Sequence, residues 1–283
     1  MIRIIYKLEV DKVSIFASGG FKVGDFIVRD VTISDIDNLI ELCIPTEKRE
    51  EKTFKSGKDV KRRWALKMLE KYGSFAKVAY VGSKLVGFLQ YIPRPKKRIV
   101  EITCIFVPEE EYQRRGIGRS LVRAFIEDMK KPKIWFNNNP QDAVVVWAFQ
   151  VPGRYPQHEF FSKMGFRRVK EDNPFLLYYP IREGYEYKET GGYIPQDEDK
   201  GKILIFYDPS CPFCIYFNEI IKREVREVAP DVPIIEFNMF EDFEEVEKRG
   251  EPPFCVVNRH AIKASFFDKK SFQNEVKMAL EEI

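Results

Sequence analysis

The chain has 283 residues, a formal net charge of +3, and 44% hydrophobic and 14% aromatic residues. That length suits two domains of ordinary size, the apolar content excludes wholesale disorder, and no apolar run reaches the length of a membrane span. The charge is uneven. Residues 201–283 hold 11 basic and 16 acidic side chains, and residues 1–200 hold 36 and 28. A basic first part suits a polyanionic cofactor; no binding motif or aromatic-basic stripe points to nucleic acid.

Residues 1–24 lack the pattern of a signal peptide and read as an extra strand or loose arm ending at Gly19-Gly20. Five cysteines, at 43, 104, 211, 214 and 255, are too few and scattered for a secreted disulfide framework. A cytoplasmic location is expected. Phe26 to Val31 reads as a strand, residues 34–43 as a helix capped by Thr32 or Ser34, and about Val60 to Lys71 as a second helix ended by Gly73. Phe75 to Val81 and Lys84 to Ile92 form an expected hairpin around Gly82-Ser83.

Ile99 to Val107 is the next strand, and it leads into Pro-Glu-Glu-Glu-Tyr-Gln113-Arg114-Arg115-Gly116-Ile117-Gly118-Arg119. Leu121, Val122, Phe125, Ile126 and Met129 then recur at helical spacing. A strand, a glycine turn and a helix N-terminus make a site for a pyrophosphate, because the first helical N–H groups are unpaired and the macrodipole favours an anion. Gly116 and Gly118 let the backbone approach phosphates without a Cβ in the way, and the three arginines add charge. Ala143 to Phe149 follows as a buried strand, Pro156 to Met164 as a short helix, and Arg167 to Tyr179 as further strand.

Arg182 to Gly201, with Gly-Gly, Pro and a charged run, reads as a linker. Lys202 to Tyr207 is a short buried strand, followed at once by Cys211-Pro-Phe-Cys214 and a helix with Phe217, Ile220, Ile221 and Val225 on one face. Strands at 232–238, 253–258 and 261–267 and helices at 243–248 and 269–283 complete the order βαβαββα.

The spacing Gln113-x-x-Gly116-x-Gly118 resembles the acetyl-CoA signature of the GNAT acetyltransferases, and Phe160-Phe161-Ser-Lys-Met-Gly165-Phe166 is similar to that family's ending. The resemblance covers about residues 25–182. It implies an α/β fold with a mixed central sheet, acetyl-CoA as cosubstrate, an amine acceptor, and direct attack without an acetyl-enzyme. It further implies that the cofactor lies against Ile105, Phe106, Val107, Gln113, Arg114, Arg115, Gly116, Ile117, Gly118 and Arg119. Backbone groups of residues 105–107 would hold the pantetheine arm and the thioester carbonyl. Glu101 matches the position of a catalytic glutamate in several relatives and is the expected base, with His158 a secondary candidate. Simple alternation puts Glu101, Thr103 and Ile105 on one face of their strand. Many relatives have a tyrosine as proton donor where this chain has Phe161. Cys104 reads as a small buried strand residue.

Cys-Pro-Phe-Cys between strand and helix resembles the thioredoxin-like proteins, glutaredoxins in particular. By that resemblance Cys211 has a lowered pKa and attacks disulfides, Cys214 resolves, and Pro253 takes the place of a cis-proline. A thiol or disulfide partner is implied. The pairing of the two domains resembles the YoaP-type acetyltransferases, dividing the chain into an extension (1–24), an acyltransferase domain (25–182), a linker (183–201) and a dithiol domain (202–283). Two alternatives stand beside this. One is an acyl-CoA-binding redox sensor that catalyses little. The other is a zinc-bearing module in which Cys211, Cys214, Cys255 and His260 hold the ion.

Overall fold

The computed structural model describes residues 14–15, 21–23, 25–149, 155–189 and 191–281. Most of the expected N-terminal arm lies outside them. The chain divides into two compact units: residues 1–42 with 68–188, and residues 43–67 with 189–283.

Among the described residues, the first unit is built on a nine-stranded sheet. Its strands are β1 (Ser14–Ile15), β2 (Phe21–Val23), β3 (Phe26–Asp30), β4 (Ala76–Val81), β5 (Lys84–Arg94), β6 (Ile99–Phe106), β7 (Ala143–Trp147), β8 (Arg167–Lys170) and β9 (Asn173–Pro180). They lie in the order β1-β2-β3-β4-β5-β6-β7-β9-β8. All neighbours are antiparallel except β6 and β7. The sheet is therefore mixed, in a unit of strands and helices. α1 (Ile36–Cys43) follows a one-turn 3-10 segment, α3 (Ile117–Met129) follows β6, and α4 (Gln157–Lys163) precedes β8. The expected single strand from Arg167 to Tyr179 is instead a hairpin, β8 and β9, turning at Glu171-Asp172. α3 forms because its apolar residues share one side: Ile117, Leu121, Val122, Phe125 and Met129 are all buried against Leu89, Tyr91, Val100, Ile102 and Val144 of the sheet. Each such side chain contributes roughly 1.5–3 kcal/mol by leaving water. Polar burial is paired. Lys77 reaches Asp30 at 2.7 Å and Asp128 at 3.0 Å. Asp35 accepts from Arg29, Tyr80 and the Thr32 backbone.

α2 (Lys52–Tyr72) starts eight residues before the expected Val60. Its first two turns, Lys-Thr-Phe-Lys-Ser-Gly-Lys-Asp, carry one large apolar residue and so give no periodic signal. Residues 52–67 of this helix group with the second unit rather than with the segment around them.

The second unit carries β10 (Ile203–Tyr207), α5 (Cys214–Arg226), β11 (Ile234–Asn238), α6 (Phe243–Lys248), β12 (Cys255–Val257), β13 (His260–Ala261) and α7 (Lys269–Glu281). The sheet order is β11-β10-β12-β13, with β10 parallel to β11 and the other pairs antiparallel. Ile221 and Val225 of α5 and Phe272 and Val276 of α7 close one side of the sheet. The segment expected as linker is partly built in: Asp199 is buried and ion-paired to the buried Arg249 at 2.6 Å, and Tyr193 donates to the same carboxylate.

Candidate functional site

The turn between β6 and α3 is held by its own glutamine. The Gln113 side-chain amide donates to the carbonyls of Val107 and Pro108, at 3.0 and 3.1 Å, folding the loop back on the strand end. Arg114 and Gly116 both take positive φ, +58° and +84°, and Gly116 is the N-cap of α3. Glycine adopts that conformation without the steric cost that other residues meet. Ile117 is buried and anchors the helix start. The first amide to close a helical turn is that of Ser120, onto the Gly116 carbonyl. The N–H groups of Ile117, Gly118 and Arg119 therefore face out of the helix end, where the dipole is positive. Arg114, Arg115 and Arg119 are exposed around them. Packing does not require glycine at 118: a Cβ there would stand 3.5 Å from the Phe160 ring and 4.0 Å from Ile105, ordinary contact distances.

β6 departs from simple alternation. Gln90 of β5 pairs with Cys104 and Tyr91 with Ile102, so Thr103 is bulged. The Gln90 amide donates to the Thr103 hydroxyl at 2.9 Å. The bulge overturns the expected faces. Glu101, opposite Ile92, shares its side with Cys104 and Phe106, opposite Gln90 and Phe88. Ile105 falls instead with Val100 and Ile102 and packs against the core beneath α3. Glu101 is half-buried, and its Oε2 accepts from Arg94 Nε and Nη2 at 2.9 and 2.8 Å. The sequence reading did not single out Arg94. The parallel pairing with β7 ends at Ile102 opposite Val146, while β6 runs on to Phe106. A seam thus opens between the two strands beside residues 103–106, leading toward the turn.

On α4, Phe161 is fully buried and its ring meets Phe160 and Phe166 edge-on, so it packs and offers no proton. Tyr155, the hydroxyl beside this helix, is exposed and hydrogen-bonded with Lys163 and Glu159. The His158 ring stands edge-on to Phe175 at 5.5 Å, and its Nδ1 is buried without a partner. A cleft of about 410 Å³ between α3 and α4 is lined by Arg119, Arg123, Lys163 and Tyr179 among others.

The thiol site of the second unit differs from expectation. Cys214 is the first residue of α5 and Cys211 lies before it. Burial pushes both thiols up to about 12, and burial raises Cys255 further. The Lys61 ammonium and a Phe213 backbone hydrogen bond pull the other way at Cys211 but do not outweigh desolvation. A lowered Cys211 pKa is therefore not observed. Its position ahead of the helix also weakens the benefit expected from the dipole. Nor is the peptide before Pro253 cis: the described residues contain no cis bond, the trans isomer being the lower in energy. Among the described residues no three of His, Cys, Asp or Glu converge to hold a metal ion. That weighs against the zinc alternative.

Sequence reasoning also missed what lies against Cys-Pro-Phe-Cys. A Cβ on Gly57 of α2 would overlap the Pro212 carbonyl oxygen. Phe54 stacks on Tyr216 at 5.3 Å and meets Phe213 edge-on at 4.9 Å. Lys61, 1% exposed, places its ammonium 3.5 Å from Cys43 Sγ. A glycine inside a helix costs about 1 kcal/mol relative to alanine, and Gly57 was the available signal of a close approach.

Residues 38–166 match the sequence model of the acetyltransferase (GNAT) family. The match covers less than half of the chain and includes the turn before α3. Among solved structures, the chain is similar to Ard1 from Thermoplasma volcanium, with 17% identity over 56% of this chain and 99% of that one, at a TM-score of 0.39. It is likewise similar to the PaiA N-acetyltransferase from Thermoplasma acidophilum, solved with coenzyme A, with 16% identity over 55% and 98% of the two chains and a TM-score of 0.39. It spans 45% of a longer chain from Pyrococcus horikoshii, at 18% identity over 52% of this chain and a TM-score of 0.37. No curated protein matches the chain.

Proposed function

We propose that the chain is a cytoplasmic N-acetyltransferase that passes the acetyl group of acetyl-CoA directly to an amine, with a thioredoxin-like dithiol domain at residues 202–283. The observation that carries the first half is the run of outward-facing amides at Ile117, Gly118 and Arg119, placed directly after the strand whose pairing opens at Ile102. The cofactor supplies an activated thioester, so the protein's work is to bind, orient and move protons. The amides of the α3 end and the side chains of Arg114, Arg115 and Arg119 hold the pyrophosphate. Gln113 keeps the turn folded. The open backbone of residues 105–107 addresses the pantetheine arm and the thioester carbonyl.

Glu101 takes the acceptor's proton through water. Both Arg94 bonds fall on Oε2, leaving Oε1 to address that water. The departing thiolate is protonated by water, since Phe161 has no hydroxyl. The second domain rests on its βαβαββα order and on Cys211-x-x-Cys214 ahead of α5. Its partner is a thiol or disulfide.

Calorimetry with acetyl-CoA, followed by acetylation of a panel of small amines and lysyl peptides, tests the first half. Binding with turnover on at least one amine, lost in Glu101→Gln with cofactor affinity kept, is expected. No binding overturns it. A second reading, an acyl-CoA-binding sensor with little catalysis, is favoured by the buried Phe161. Binding without acetylation of any amine would select it.

A further inference from the structure

Cys43 ends α1 and belongs to neither Cys-x-x-Cys nor the acyltransferase chemistry, yet it lies in the same compact unit as the dithiol. Gly57 sits against the Pro212 carbonyl, between the two cysteines of Cys-Pro-Phe-Cys. Lys61 is one helical turn further on and so on the same side of α2. Its buried ammonium reaches Cys43 Sγ at 3.5 Å. The charges of both Lys61 and Cys43 are also felt at Cys211. One buried ammonium thus touches Cys43 from the helix that lies against the Cys-Pro-Phe-Cys loop. The thiolate is the nucleophile in disulfide exchange.

We propose that Cys43 is the third thiol of this site, exchanging with the oxidised Cys211–Cys214 pair to form a Cys43–Cys211 disulfide. The pair is first oxidised by a low-molecular-weight disulfide, which leaves as two thiols. The Cys43 thiolate then attacks Cys211 Sγ: the Cys43–Cys211 bond forms, the Cys211–Cys214 bond breaks, and Cys214 departs as thiolate and takes up a proton. No further oxidant is consumed. The product ties residue 43 covalently to the loop under α2 and frees the Cys214 thiol at the start of α5.

The inference rests on the dithiol reading of Cys211 and Cys214, and the test separates the two. The full chain and its Cys214→Ser variant are treated with oxidised glutathione, remaining thiols are blocked with N-ethylmaleimide, and the disulfides are mapped by non-reducing peptide mass spectrometry. Cys43–Cys211 peptides are expected in the wild type beside Cys211–Cys214, and as the dominant internal disulfide in the variant. If the variant carries glutathione on Cys211 while Cys43 is fully blocked by maleimide, the proposal falls and the dithiol reading stands. If Cys211 is unmodified in both proteins, both fall.

Discussion

Replacing Gly57 by alanine should expose the thiol site, although alanine is the better helix former. Propensity alone favours the variant by about 1 kcal/mol, since Gly57 lies inside α2. Against this, the new methyl would overlap the Pro212 carbonyl oxygen and stand 2.9 Å from its carbon. Both obstacles are backbone, so no side chain can swing aside, and overpacking of this sort costs roughly 1–3 kcal/mol. The helix must lift, and lifting loosens Phe54 from Phe213 and Tyr216. Each aromatic pair is worth about 0.5–1.5 kcal/mol beyond its buried area. The propensity gain partly offsets these losses, leaving a net opening of about 1–3 kcal/mol. Every 1.4 kcal/mol is tenfold in the open population, which governs labelling of a covered thiol. Alkylation of Cys211 by iodoacetamide at pH 8, followed by peptide mass spectrometry, should therefore accelerate by about 5- to 150-fold. Gly192→Ala is the control: a Cβ there meets nothing within 4 Å, and the rate should not move. An unchanged Cys211 rate in Gly57→Ala, with unchanged melting temperature, would refute the placement of α2 over the dithiol.

Gly116→Val should weaken acetyl-CoA binding by about tenfold or more in calorimetry, because φ of +84° costs a non-glycine residue roughly 1–2 kcal/mol. Gly118→Ala, whose methyl would rest at van der Waals distance from Phe160, should stay within about threefold, and the reverse ranking would place the cofactor elsewhere. Asp35→Asn should destabilise the first unit by about 3 kcal/mol through the loss of a buried charge partner. Burial pushes the Asp35 carboxyl up, but hydrogen bonds from Arg29, Tyr80 and Thr32 outweigh it and hold the carboxyl well below its usual range. Its contribution is present above about pH 4 and lost as pH falls below that. The wild-type urea midpoint should fall on acidification more steeply than the variant's. Cys211 and Cys214 titrate in the opposite sense. Burial lifts both to about 12, so their contribution is full below about pH 8.5 and is lost as pH rises toward 12. The second unit should lose stability above pH 9, and a Cys211→Ser/Cys214→Ser double variant should show a flatter alkaline limb.

The periodic elements were legible because burial imposes their period. α3 could be read from five apolar residues, and Gly82-Ser83 marked the hairpin of β4 and β5. What stayed hidden depends on contacts between distant segments. The bulge at Thr103 carries no glycine or proline signal, yet it decides that Glu101 shares its side of β6 with Cys104 rather than with Ile105. Cys-x-x-Cys likewise says where two sulfurs sit along the chain but not what covers them. The motif implied a thiolate made ready by a helix end, whereas desolvation raises both thiols, outweighing the Lys61 charge at Cys211 and adding to charges that oppose ionisation at Cys214. The decisive residue for that burial is Gly57, about 150 residues earlier, whose missing side chain is legible only once Pro212 is known to lie against it. A half-buried Cys211 beside a buried Cys214, in a loop that meets Gly57 of α2, has one consistent consequence. Reactivity at Cys211 follows how often α2 lifts, and the sulfur proposed to meet it, Cys43, ends α1 and is touched by Lys61 of α2.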